Sequence, residues 1–166
     1  VLGLLHDLGK YSQAFQDYLG SAVGLIDQDD DDFVDAQQLR GRIDHSTAGA
    51  QYIWRRLSQT GRLGELSGEI LALCIASHHS GLIDCLTPDG QDNFTRRMNK
   101  PEHSAHLAEA LERVDASVSS RLADLIDQTD FSQRLQRVAH NIAQLEQRSS
   151  GSVQIVQFKF GLLLRF

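Results

Sequence analysis

The sequence predicts an all-α domain, one helical bundle over residues 1–166, on three observations. Apolar side chains recur at steps of three and four in most long segments, which is the period of a single helix face. Only two prolines occur in the chain. Apolar residues at 41% and charged residues at 23% are the proportions of a globular protein, and 166 residues suffice for one sizeable core.

The chain opens on Val1–Leu5, an apolar run without Met that leads straight into "HDLGK" at 6–10. The run is too short for a signal peptide and lacks its basic flank. A fragment truncated at both ends is the expectation. Phe15, Tyr18 and Leu19 then make a short helical face. "DQDDDDFVD" begins an acidic stretch, about 27–43, that reads as a solvated loop. It lacks the Gly and terminal Glu of a calcium-binding EF-hand loop. "DHSTAGAQYIWRRL" starts on capping residues, so a helix opens near Ser46, with Gly49, Ile53 and Leu57 four apart. Its small residues Ala48, Gly49 and Ala50 would let another helix approach closely. "LSGEILALCIAS" at 66–77 is apolar on nearly every side, as a buried central helix is, with Gly81 placed to end it. Leu107, Leu111, Val114, Val118, Leu122 and Leu125 predict one long amphipathic helix after Pro101. Leu135, Val138, Ile142 and Leu145 predict another, which "SSGS" at 149–152 breaks. In 153–166, Val153, Ile155, Phe158 and Phe160 step by two, whereas "FGLLLRF" reads as a buried helix. Helix is expected there, because no other segment offers a strand partner.

Several classes drop out. No apolar run reaches the roughly 20 residues of a membrane span. Cys74 and Cys85 are too few for a disulfide framework or a Cys-rich zinc site, and a reducing cytoplasm is the expected compartment. A net charge of −6 argues against a protein that coats nucleic acid, less so if bound cations add local positive charge.

The seven histidines are informative by their placement. His78 and His79 follow the buried helix. Neighbours on a helix diverge by about 100°, so both reach one point only near a helix end. Complementing the helix dipole would explain one of them and leave the second over. His45 stands at a helix start, where an imidazolium is disfavoured and a neutral, metal-bound imidazole is not. Taken alone it is an ordinary loop histidine, and Asp7 beside His6 an ordinary cap or ion-pair partner. Together they are four imidazoles and one carboxylate from three helix ends. That set suits Mn, Fe, Co, Ni or Zn better than Mg, with Asp7 the candidate bridge between two cations. His103 and His106, three apart, are a weaker metal face, and His140 has no assigned role. Lys10, one helical turn beyond Asp7, would face the same cavity or stand free on the surface.

"HDLGK", "DHSTAGA" and "SHHSGLIDCLTPDGQDNFTRRM", in this order, resemble the HD nuclease domain of the CRISPR-associated helicase-nuclease of type I systems. "FQDYL" after the lysine and the C-terminal "FGLLLRF" extend the resemblance over nearly the whole chain. It implies an HD-domain helical bundle with its metal site at converging helix ends. The implied activity is metal-dependent hydrolysis of single-stranded DNA, beside a fused or separate helicase and an RNA-guided surveillance complex. It further implies that Asp7 bridges two cations, His6 serving the first and His45, His78 and His79 the second. Lys10, where it faces that cavity rather than standing free, would stabilise phosphate charge. The family pattern also expects a His upstream of "HDLGK" and an Asp after "GLLLR", neither of which this chain contains. One cation, not two, is therefore expected here. Arg55, Arg56, Arg96, Arg97 and Lys100 could follow a DNA backbone, or be solvated charges. The alternative readings are a phosphohydrolase of nucleotides or cyclic dinucleotides, and a non-catalytic module stabilised by its metal.

Overall fold

The computed structural model describes residues 1–27, 32–39, 43–79, 83–85 and 87–148. Residues 28–31 of the acidic run, Gly81, the "SSGS" break and the 153–166 segment lie outside the described residues, as do the side chains of Ile142 and Leu145. Among the described residues the fold is all-α, without a strand.

Helix α1, Leu2–Leu5, runs into a turn at His6–Asp7 and a 3-10 turn over Leu8–Tyr11. The buried Ser12 then caps α2, Gln13–Ala22, by accepting the Phe15 N–H at 3.3 Å. After the short α3, Ala36–Leu39, come α4, Ser46–Leu57, and α5, Arg62–Ala76. Helix α4 starts where the sequence places it. Helix α5 begins four residues before the predicted "LSGEILALCIAS", because Gly61, at φ 91°, turns the chain directly into it. Asp92 caps α6, Asn93–Met98, through the Thr95 N–H at 2.8 Å.

The long helix expected after Pro101 is instead three: α7 Glu102–Ala105, α8 Leu107–Arg113 and α9 Ala116–Asp127. Polar side chains near each break satisfy the backbone there. Glu102 accepts the Ala108 N–H at 2.7 Å, His106 takes a left-handed conformation at φ 54°, and Asp115 accepts the Ser117 N–H at 2.7 Å. The three-and-four spacing persists across the breaks because the pieces bury Leu107, Ala110, Val114, Leu122 and Ile126 in one core. Helix α10, Thr129–Arg148, completes the described bundle.

The most extensive packing is between α4 and α5. Only residues 58–61 join them, so they run antiparallel and bring the start of α4 beside the end of α5. Ile53, Ala50, Ala72 and Ile75 fill the space between and around them. Helix α1 crosses at the open end of this hairpin, so close that a Cβ on Gly49 would stand 1.9 Å from the Leu5 carbonyl oxygen. The small residues of "STAGA" thus serve the close approach that the sequence suggested.

Gly49→Ala should lower the free energy of unfolding by about 3 kcal/mol, because backbone rather than a pliable side chain blocks the new methyl. Chemical denaturation measures this. A loss under about 0.5 kcal/mol, within the range of an ordinary surface change, would show that α1 does not dock as described.

Candidate metal centre

Three chain segments end at one point. The His6–Asp7 turn leaves the end of α1, His45 occupies the N-cap position of α4, and His78 and His79 lie in the turn after α5. One donor atom from each of Asp7, His45, His78 and His79 falls within 4.8 Å of all the others. The imidazole rings crowd, with centroids 4.0 Å apart for His78–His79, 4.9 Å for His45–His79 and 5.5 Å for His45–His78.

Backbone contacts hold this convergence. The Gly9 N–H donates to the His45 carbonyl at 3.1 Å, and a Cβ on Gly9 would meet that oxygen at 2.3 Å. The glycine of "HDLGK" is therefore what lets the His-Asp segment lie against the start of α4. Phe15, from "FQDYL", sets its ring edgewise 5.0 Å from the His45 imidazole and closes that side.

The imidazoles are oriented from behind. His6 Nδ1 lies 3.1 Å from the Gly3 carbonyl, His45 Nδ1 3.4 Å from Ile43, and His78 Nδ1 2.6 Å from Ile75. A carbonyl oxygen only accepts, so each Nδ1 carries the proton, and in the neutral ring Nε2 keeps its lone pair. His45 Nε2 then points at Asp7 Oδ1 from 3.9 Å and His78 Nε2 from 3.6 Å, both beyond hydrogen-bond range. These three buried atoms have no hydrogen-bond partner. Burial holds the His45 pKa below its usual value, reinforced by the neighbouring His79 and His78 and only partly opposed by its bond to Ile43. A neutral ring with an unshared lone pair is a ligand. Donor atoms about 2.1 Å from a shared cation lie roughly 3 to 3.5 Å apart, close to the separations here. The donor set fits a divalent transition metal.

Asp7 has two distinct sides. Its Oδ2 accepts from Lys10 Nζ at 2.8 Å and faces His6 Nε2 at 3.1 Å, whereas Oδ1 faces His45 and His78. Burial pushes the Asp7 pKa up, but the Lys10 bond and the nearby His6, Lys10 and His45 outweigh it, and the net shift is downward.

Other predicted residues lie elsewhere or are already engaged. His103 and His106 do not join the cluster: His106 Nδ1 sits 3.2 Å from Glu109 Oε2. His140 neighbours Gln144 on the exposed face of α10. Arg55 and Arg56 are ten and eleven residues along α4 from His45, about 15 Å away. There they line a cavity of about 930 Å³ with Arg62 and Phe131, with Arg55 bonded to Gln51 and Arg56 to Asp127. Arg97 and Lys100 bind Asp44. Of the five proposed backbone-tracking cations, four have intramolecular partners: Arg55 within α4, Arg56 on α9, and Arg97 and Lys100 on the segment that leads into α4. The sequence placed Asp44 only among the residues that cap α4 and gave it no part in the site, although an acidic residue just before a helix-initial His is a readable signal.

An all-α bundle that gathers a His-Asp doublet, a helix-initial His and a His-His pair around one carboxylate defines a metal-binding domain of HD type. Residues 1–149 match the family described as Cas3, HD domain, and the chain belongs to that family, that of the CRISPR-associated HD nucleases. No curated protein and no solved structure is significantly similar to it. Among the described residues no helix is long and apolar enough to cross a membrane.

Burial pushes the Asp44 pKa up, but bonds from Lys100 and Thr47 and the charge of Arg97 prevail and bring it to about 2, against an ordinary 3.8. The unfolded chain therefore takes up this proton first. The stabilisation, about 2 kcal/mol, is complete above pH 4 and lost as pH falls toward 2. Asp44→Asn should be less stable than the parent near neutral pH and converge with it at low pH. Parallel stability–pH curves would contradict the pairing.

Proposed function

We propose that this domain hydrolyses phosphodiester bonds of single-stranded DNA at a divalent transition metal held by Asp7, His45, His78 and His79. The observation that carries this reading is the unpartnered Asp7 Oδ1 faced by two buried, correctly oriented Nε2 atoms. Such an arrangement costs stability in the absence of a cation, about 1–3 kcal/mol for each unsatisfied group. Bound there, a divalent cation supplies Lewis acidity toward a phosphoryl oxygen and lowers the pKa of water.

The chain's own residues do the rest. Asp7 anchors the cation through Oδ1 and keeps Lys10 beside the site through Oδ2. The carbonyls of Ile43 and Ile75 fix His45 and His78 in the tautomer that presents Nε2. Lys10, about one third exposed, carries the positive charge that meets an incoming phosphate. His79 is exposed and His6 is 41% exposed, while His45 and His78 are 17% exposed and form the floor. An open rim of this kind suits a polynucleotide backbone better than a nucleotide enclosed on all sides. A flexible single strand reaches such a floor, and a helicase partner together with an RNA-guided complex would supply it.

The test is cleavage of labelled single-stranded DNA, duplex DNA and nucleotides with Mn, Co or Ni. Asp7→Asn is nearly isosteric but lacks the charge, and should cut single-stranded DNA at least 100-fold more slowly with its circular dichroism unchanged. Parental rates in that variant would end the assignment of Asp7, and a preference for nucleotides would end the polynucleotide reading.

One tightly held cation per chain is expected. On one side the three imidazoles of His45, His78 and His79 join an Asp7 oxygen, whereas among the described residues the other side offers only His6 and an Oδ2 already bonded to Lys10. Elemental analysis after dialysis against a weak chelator should return about one metal per chain. Two retained metals would refute this division of ligands.

A further inference from the structure

The "TPDGQDNFTRRM" stretch supplies no donor to the cluster, yet α6 within it reaches across to the start of α4. Arg97 Nε donates to Thr47 Oγ1 at 2.9 Å, Arg97 Nη2 donates to Ser46 Oγ at 2.6 Å, and the same nitrogen lies 3.5 Å from Asp44 Oδ1. Asp44 in turn accepts the Thr47 N–H at 3.0 Å and the Thr47 hydroxyl at 2.6 Å, and pairs with Lys100. Residues 44, 46 and 47 are thereby fixed on both sides of His45.

His45 occupies the N-cap position of α4 and makes no capping bond with its side chain. An N-cap residue ordinarily turns its side chain back onto the first helical N–H groups. Here Asp44, one residue earlier, takes over that role, and the imidazole is left free to face Asp7. Thr47 is fully buried, and Asp44 and Arg97 are each about one fifth exposed, so the clamp works largely out of water, where a guanidinium fork is directional.

Resting on the metal reading given above, we propose that Asp44 and Arg97 are positioning residues that aim the His45 imidazole at the cation. A cap with only a structural role would change stability without changing the ligand field. The experiment titrates the full chain with Co(II) alone, following affinity and the visible absorption bands, for the parent, Asp44→Ala, Asp44→Asn, Arg97→Ala and Arg97→Lys. Asp115→Ala, which removes the cap of α9, is the stability control. Asp44→Ala and Arg97→Ala should bind Co(II) about 10- to 100-fold more weakly, with shifted bands. Arg97→Lys keeps the charge but cannot bridge both hydroxyls, and should show most of that loss. Asp115→Ala should keep parental affinity and spectrum. If the alanine variants do not fold, Asp44→Asn and Arg97→Lys decide. Parental affinity and bands in both would overturn the clamp while leaving the metal site standing. A parental chain that binds no Co(II) would overturn the metal reading, and the clamp with it.

Discussion

The bond from the Gly9 N–H to the His45 carbonyl is the contact on which the centre depends. It joins the His-Asp segment to the start of α4 through backbone alone, and it exists because position 9 has no Cβ. Gly49 does the same one helical turn further along, under the Leu5 carbonyl. Side-chain packing tolerates shifts of several tenths of an ångström, whereas these two contacts do not. The backbone of Asp7, which lies between Leu5 and Gly9, is therefore held on both sides, and the bond from Lys10 then orients its carboxylate.

The same region holds the least satisfied part of the described molecule. Asp7 Oδ1, His45 Nε2 and His78 Nε2 are buried without partners, while polar groups nearby are well provided for. Gln51, fully buried, donates to the Lys100 carbonyl at 3.0 Å and accepts from Arg55. Ser12, equally buried, caps α2. The fold evidently can satisfy interior polar atoms, and leaving three of them facing one another is a local departure from that rule.

Much of this was legible in the sequence, for identifiable reasons. Helical period and capping residues located α4 to the residue, and adjacent histidines after an apolar helix pointed to a helix end. Other features could not be read. The breaks at His106 and Val114–Asp115 do not disturb the apolar period, because α8 and α9 face the same core. The fate of Arg97 and Lys100 depends on Asp44, more than fifty residues away, a pairing no local pattern encodes. Likewise, nothing local to "HDLGK" signals that its glycine is a docking surface for the start of α4.

The hairpin topology also gives the four donors unequal histories. His45, His78 and His79 meet as soon as α4 and α5 zip together across residues 58–61, a local event with little loop to close. Asp7 arrives only when the chain's first eleven residues dock on that hairpin across a much longer intervening segment. Until then the cluster consists of imidazoles alone. Docking adds the single carboxylate, so a chain in which it has not yet occurred offers nitrogen donors alone, a softer set of ligands than that of the finished domain.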